Sequence, residues 1–297
     1  MQRSSRPSTH RRRPRGRRLA AVSVALALAA GGGVAGALAP AAAAEAPGPA
    51  AGPAAADPAA VRLETELQSL AAQVPGELGF VLLGPDGAPV LTHNADRSFT
   101  SASLYKLFVA HAVLDRVDRG LIALSDTVPG TSFTVEDAVR RTITWSDNVS
   151  GAALGRWLGW KEVEAFARAS GFESTTYDPD AAGGIVHMTT TPDDVADLLQ
   201  RLRTGELLSG PSGDLLLGFL TAQELTYALS TGLSADVEFA HKTGLLEQVS
   251  HDAGMVRQDG REHVVAVLTD GWSGYDDSKP WFQRMGRALD DYVHAAA

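Results

Sequence analysis

Apolar residues recur at helical spacing at Val61, Leu63, Leu67, Leu70 and Val74, which predicts a first amphipathic helix. A short apolar run at 79–83 ends in the turn signal Pro85-Asp86-Gly87, and residues 89–92 follow as its hairpin partner. Between Ser103 and Arg119 apolar side chains fall on nearly every face, the pattern of a buried helix. Gly120 ends it. Thr134 and Asp137 form a capping box opening another helix through Thr142. Helical stretches continue near 149–158, 161–169, 192–203 and 212–219. The third opens on Pro192-Asp193-Asp194, residues favourable at a helix N-terminus. Strand patterns return at 238–243, 252–257 and 262–269, the last two joined by Gln258-Asp259-Gly260, and residues 281–293 close the chain as an amphipathic helix.

Helix, two strands, many helices, three strands and a final helix predict an α+β fold. The expectation is a five-stranded antiparallel sheet assembled from both ends of the chain, flanked by helices, with an inserted all-helical lobe. No internal repeat is visible. This domain is expected over 59–297. Residues 45–58, EAPGPAAGPAAADP, lack bulky apolar side chains to bury and read as a flexible linker.

Residues 1–44 read differently again. Eight arginines, with no lysine and no acid, precede an apolar run over 19–38 and the small-residue exit Ala42-Ala43-Ala44. That succession predicts a cleaved secretory signal and a secreted or otherwise extracytoplasmic protein. A retained membrane anchor is the alternative, since the run nearly spans a bilayer. Arg17-Arg18 also admits the twin-arginine route, without the usual polar residue before the pair or aromatic after it.

Loss of those arginines leaves 18 basic against 35 acidic side chains, a charge near −17. Such a protein is repelled by nucleic acid and anionic lipid, so neither is an expected partner, and after signal cleavage no membrane contact is expected. A monomer acting on a small molecule is the simplest expectation. With no cysteine, disulfides, thiolate metal sites and a cysteine nucleophile are excluded. No His-x-x-x-His or similar ligand spacing exists, so neither a metal nor another cofactor is expected.

Three short motifs carry the candidate chemistry: Ser103-Leu104-Tyr105-Lys106, Ser146-Asp147-Asn148 and Lys242-Thr243-Gly244. A Ser-x-x-Lys arises by chance about once per chain of this size, and the other two on the order of 0.05–0.1 times each. All three in this order are specific where one alone is not. The chain has only four lysines, Lys106, Lys161, Lys242 and Lys279, against 22 arginines, yet two lie in these motifs. Arginine cannot be deprotonated at useful pH, whereas a desolvated lysine can. On a helix Ser103 and Lys106 share a face, so a neutral Lys106 can take the Ser103 proton for attack on a carbonyl. The Ser103 backbone N–H can supply half of an oxyanion hole.

These motifs resemble those of the class A serine β-lactamases and the related penicillin-binding transpeptidases and carboxypeptidases. The likeness covers about residues 60–295 and includes Thr189-Thr190-Thr191-Pro192. It implies Ser103 as nucleophile, Lys106 as its base or base partner, and Ser146 as proton relay to the leaving nitrogen. Lys242 would stabilise charge near Ser146 and the substrate carboxylate, with Thr243 helping to hold that carboxylate. Asn148 would hold the substrate side-chain amide, and Leu245 would give the second oxyanion N–H. Gly244 would keep the strand edge open, and Asp147 would satisfy backbone amides in its turn. Tyr105 and Trp145, by flanking the motifs, are expected to line the cleft, with core packing an equal alternative for Trp145.

The resemblance breaks in one place. Class A enzymes carry a Glu-x-x-Leu-Asn segment whose glutamate activates the water that releases the acyl-enzyme. Here residues 171–192 read GFESTTYDPDAAGGIVHMTTTP, where Glu173 falls too early and Ala181 stands at the glutamate's place. Either Asp180, or less readily Asp178, replaces that base, or nothing does and acylated Ser103 persists. His187 is a weaker candidate, and His251 fits a hydrogen-bonded structural role better. The function expected is β-lactam ring opening through acyl-Ser103. A D-alanyl-D-alanine carboxypeptidase, another peptide or ester hydrolase, or a penicillin-binding sink that acylates once are the alternatives. The intact motif residues argue against a pseudoenzyme.

Overall fold

The computed structural model describes residues 57–178 and 188–296. The expected signal, nearly all of the linker, and residues 179–187 with Asp180, Ala181 and His187 lie outside the described residues. Asp57 and Pro58, grouped with the linker by composition, belong instead to α1 (Pro58–Ala71). The Asp57 carboxylate accepts the Ala59 N–H at 2.9 Å, and a proline in the first turn gives up only an N–H that would have had no helical partner.

The chain continues through the hairpin β1 (Leu78–Leu83) and β2 (Pro89–His93), then β3 (Phe99–Thr100) and a 3₁₀ turn, Ala102–Leu104. The helices α2 (Tyr105–Asp118), α3 (Val135–Thr144), α4 (Asn148–Leu158) and α5 (Trp160–Ala169) follow. After β4 (Thr176–Tyr177) and β5 (Met188–Thr190) come α6 (Pro192–Arg203) and α7 (Gly210–Thr221). The strands β6 (Glu238–Leu246), β7 (Val249–Gln258) and β8 (Arg261–Thr269) lead to α8 (Tyr275–Ala295).

The five-stranded antiparallel sheet has the order β2-β1-β8-β7-β6. Pairing of β1 with β8, from Leu78↔Thr269 to Leu83↔Val264, joins the two ends of the chain as expected. The register sends Phe80, Leu82, Val265 and Val267 to one face, where they meet Leu63 and Leu67 of α1 and Trp281, Phe282 and Leu289 of α8. Val81, Ala253, Met255 and Ala266 face the other way, into the core shared with α2 and the lobe. Burial of each large side chain here stabilises by roughly 1.5–3 kcal/mol. The Trp281 indole donates to the Leu70 carbonyl at 2.9 Å, which pins α8 to the end of α1.

Three features depart from the sequence pattern. The lobe is not wholly helical: β3, β5 and β4 form a small antiparallel sheet in that order, from strands of two or three residues too short to show alternation. The edge pair is longer than expected, because Ser250, His251 and Asp252 are polar yet buried, which masks the strand pattern at the start of β7. And α8 begins at Tyr275, passing through Pro280 near its start. The helix signals at Thr134 and at Pro192-Asp193-Asp194 hold: the hydroxyls of Thr134 and Thr191 accept the amides of Asp137 and Asp194, each at 3.1 Å.

Candidate active site

Ser103 sits in the 3₁₀ turn and α2 starts two residues later, rather than at Ser103 itself. The cause lies just upstream, where Ala102 adopts φ +44°. A residue with a β-carbon is strained there by about 1–3 kcal/mol, so neighbouring contacts must hold it. Ser101, fully buried, donates its N–H to the Met188 carbonyl at 2.8 Å. The i, i+3 relation survives the change of helix type, and Lys106 Nζ lies 3.0 Å from Ser103 Oγ.

The second motif arrives from the junction of α3 and α4. Ser146 takes φ +53°, and both its oxygens meet Lys106 Nζ, the carbonyl at 2.6 Å and Oγ at 3.0 Å. Asn148 Oδ1 adds a fourth contact at 2.8 Å. An ammonium has only three hydrogens for these four oxygens. A neutral amine donates two hydrogens and offers its lone pair to a hydroxyl proton, which suits a site with two serine hydroxyls. Burial supplies the drive: Lys106 is fully buried, and desolvation lowers its pKa to about 8 against the opposing pull of Asp147.

Asp147 has the structural place expected of it. Its carboxylate caps α4 by accepting the Ser150 N–H at 2.7 Å and the Ser150 hydroxyl at 2.5 Å. Burial works against its ionisation, but those bonds, the Val149 amide and the charge of Lys106 hold its pKa below the usual carboxylate range. Gly151 on the same helix makes room for the site, since a β-carbon there would stand 3.0 Å from the Tyr105 hydroxyl and 3.1 Å from Lys106 Cε. Sequence reasoning missed Gly151, because nothing in a helical pattern marks a glycine as a close approach.

The third motif lies on β6, the edge strand. Lys242 is fully buried, and desolvation holds its pKa well below the ordinary lysine value; the charge of Lys106 pushes the same way, and Asp252 opposes. Its amine donates to the Thr243 carbonyl at 2.8 Å rather than to Ser146. Thr243 is buried and bonded to the Tyr227 side chain. Gly244 is wedged between Leu104 and His251, where a β-carbon would come within 3.2 Å of both. Leu245 follows, partly exposed on the same strand.

The two aromatic residues that flank the motifs sit differently from one another. Tyr105 is 6% exposed and packs edge-on against Trp160 at 5.7 Å, inside the lobe core and not in an open cleft. On a helix buried on nearly every face, the residue before Lys106 points inward too. Trp145 is partly exposed and stacked under the guanidinium groups of Arg140 and Arg141, at 4.6 and 5.4 Å.

Among the described residues, no cluster of metal-ligating side chains exists. Described residues on either side of 179–187 make contacts of their own. Thr175 Oγ1 bonds to Asp194 at 2.8 Å and to Thr190 Oγ1 at 2.9 Å, and Tyr177 stacks on Trp160.

A neutralisable lysine between two serine hydroxyls, beside a glycine-bearing edge strand, is a constellation built for acyl transfer. The sequence model of the Beta-lactamase enzyme family matches residues 62–293. The chain belongs to that family. β-Lactamase L2 of Stenotrophomonas maltophilia is 32% identical over 264 residues, covering 79% of this chain and 87% of that protein. A β-lactamase of Streptomyces fradiae is 30% identical over 237 residues, covering 70% and 78%. Among solved structures, PBP-A superposes with a TM-score of 0.70 at 26% identity, covering 78% of this chain and 96% of that one. A β-lactamase from Burkholderia vietnamiensis gives 0.72 at 26%, covering 79% and 97%. A family member with this lysine–serine geometry is a serine hydrolase of the acyl-enzyme type.

Proposed function

We propose that this protein opens β-lactam rings outside the cytoplasmic membrane, as a monomer, through an acyl-Ser103 intermediate. The observation that carries the reading is Lys106 Nζ at 3.0 Å from both Ser103 Oγ and Ser146 Oγ, with its pKa lowered to about 8. In the neutral form Lys106 takes the Ser103 proton as Oγ bonds to the lactam carbonyl carbon. The amides of Ser103 and Leu245 hold the oxyanion. As the carbon–nitrogen bond breaks, the proton passes from Lys106 through Ser146 to the leaving nitrogen, which restores neutral Lys106. Asn148 holds the substrate's side-chain amide. Thr243 holds its carboxylate, with the charge of Lys242 behind it.

Release of the acyl group needs a base that activates water. Asp180 is the proposed replacement for the missing glutamate. The missing glutamate, with Ala181 at its place, leaves a second reading. On that reading the acyl-enzyme persists, and the protein is a penicillin-binding peptidase or sink. A variant of PBP-A, a structure 25% identical to this chain with a TM-score of 0.69, was solved as an acyl-enzyme with penicillin G.

Intact-protein mass spectrometry with a fluorescent penicillin, on residues 45–297 and on Ser103→Ala, separates the outcomes. An adduct confined to the serine-bearing protein that clears within minutes supports a hydrolase, and Asp180→Asn then tests the base. An adduct stable for hours supports the second reading and makes D-Ala-D-Ala peptides the next substrates. No adduct in either protein overturns both.

A further inference from the structure

His251 lies outside the three motifs, yet it touches Gly244 of one and the Thr100 backbone that leads into another. The side chain is fully buried on β7 and both ring nitrogens are engaged. Nε2 lies 2.8 Å from the Thr100 carbonyl, which can only accept, so Nε2 carries the hydrogen. Nδ1 accepts the Thr269 N–H at 3.1 Å. The two partners therefore fix one neutral tautomer, and protonation of Nδ1 would set two donors against each other. Burial lowers the imidazole pKa to about 4, which keeps the ring neutral across the range in which Lys106 titrates.

The position of this ring gives the contacts a purpose. Thr100 is three residues before Ser103, on the far side of the left-handed Ala102. On its other flank His251 is the cross-strand partner of Gly244, and its Cβ and Cδ2 would stand 3.1 Å from a β-carbon placed there. Gly244 in turn abuts Leu104, the residue after Ser103. One side chain thus spaces the backbone that presents the nucleophile from the strand edge that presents the Leu245 amide. A shift of about 1 Å between nucleophile and oxyanion donors is enough to cost on the order of a hundredfold in rate.

We propose that His251 is a positioning residue for acylation, holding the Thr100–Ser103 segment at its working distance from the Gly244–Leu245 edge. The inference rests on Ser103 as the acylated nucleophile. His251 acts through those two backbone segments and does not touch the substrate.

Two substitutions test it. His251→Gln keeps one donor and one acceptor at nearly the spacing of the ring nitrogens. His251→Asn keeps an acceptor for Thr269 but is too short to reach Thr100. Stopped-flow acylation by a fluorescent penicillin, resolved into a binding constant and a first-order acylation rate, should leave His251→Gln within about threefold of the parent. In His251→Asn the acylation rate should fall at least tenfold while the binding constant changes less than about twofold. Equal acylation rates for the Asn variant and the parent, or equal defects in Asn and Gln, would overturn the inference.

Should the Asn variant not fold, ¹⁵N-histidine spectra of the parent protein decide. An Nε2–H tautomer whose ring resonances move when Ser103 is acylated supports the clamp; an Nδ1–H tautomer, or a ring unresponsive to acylation, refutes it. Absence of any adduct on the parent instead overturns the reading of Ser103, a failure distinct from that of His251.

Discussion

Lys106 Nζ approaches the Ser146 carbonyl oxygen to 2.6 Å, joining α2 to the α3–α4 junction forty residues away in sequence. That contact puts a basic amine between two hydroxyls and orders both around it. The same amine therefore sets the geometry of the site and its dependence on pH.

Acylation should rise with pH and level off near the Lys106 pKa. Only the neutral amine can take the Ser103 proton, and desolvation brings that pKa down to about 8. Well below that value the acylation rate should climb about tenfold per pH unit, with a plateau above it. Stopped-flow acylation between pH 5.5 and 9.5 measures this; a rate already flat at pH 6 would show that Lys106 is not the titrating base.

Lys106→Arg should abolish acylation while keeping the charge. A guanidinium stays protonated at any working pH and is too large for a pocket bounded by Gly151. A loss of about a thousandfold or more in the acylation rate is expected. Mass spectrometry of the variant after prolonged incubation with penicillin checks this, and rapid adduct formation would remove lysine from the mechanism.

Gly151→Ala should damage the site through packing alone. Alanine favours the helix by up to about 1 kcal/mol, but the new methyl would press on the Tyr105 hydroxyl and Lys106 Cε at 3.0 and 3.1 Å. Overpacking of this kind costs about 1–3 kcal/mol, so the clash wins. The variant should melt lower and acylate at least tenfold more slowly. Tyr105→Phe in the same chain removes the nearer obstacle and should recover much of the stability. Thermal melts and acylation rates of both singles and the double give the coupling.

Stability should fall in mild acid. His111 is buried between Phe166 and Phe172, and burial, then the charge of Arg201, lower its pKa to about 4 despite a bond with the Leu207 backbone. The unfolded chain binds a proton near the ordinary value of about 6.5, so from there down to about 4 it holds more protons than the folded state. The His111 contribution is thus complete above that window and lost as pH drops through it, on the order of 3 kcal/mol in all. His251, with a pKa also near 4, adds a loss of the same sign. Urea melts from pH 7.5 to 4 should show the decline, and His111→Phe should flatten part of it. An equal slope in that variant would assign the acid sensitivity elsewhere.

Much of the site was legible because its chemistry demands particular side chains at fixed separations. Ser103 and Lys106 lie three apart, and that spacing works in a 3₁₀ turn leading into an α-helix as it does in a regular helix. Tyr105 misled for a related reason. Adjacency to a motif says nothing about direction, and on a helix buried all round the next side chain points into the core.

By itself the sequence determined most of the longer elements, the closure of the sheet from both chain ends, and the three motifs, because periodicity and local spacing are properties of consecutive residues. Only the tertiary structure decided that one amine meets both serines, that Gly151 and Gly244 are sites of close approach, and that His251 bridges the nucleophile segment to the strand edge. Those relations join residues up to 151 positions apart, as Thr100 and His251 are. Their distances follow from how helices and strands pack, which no local pattern encodes.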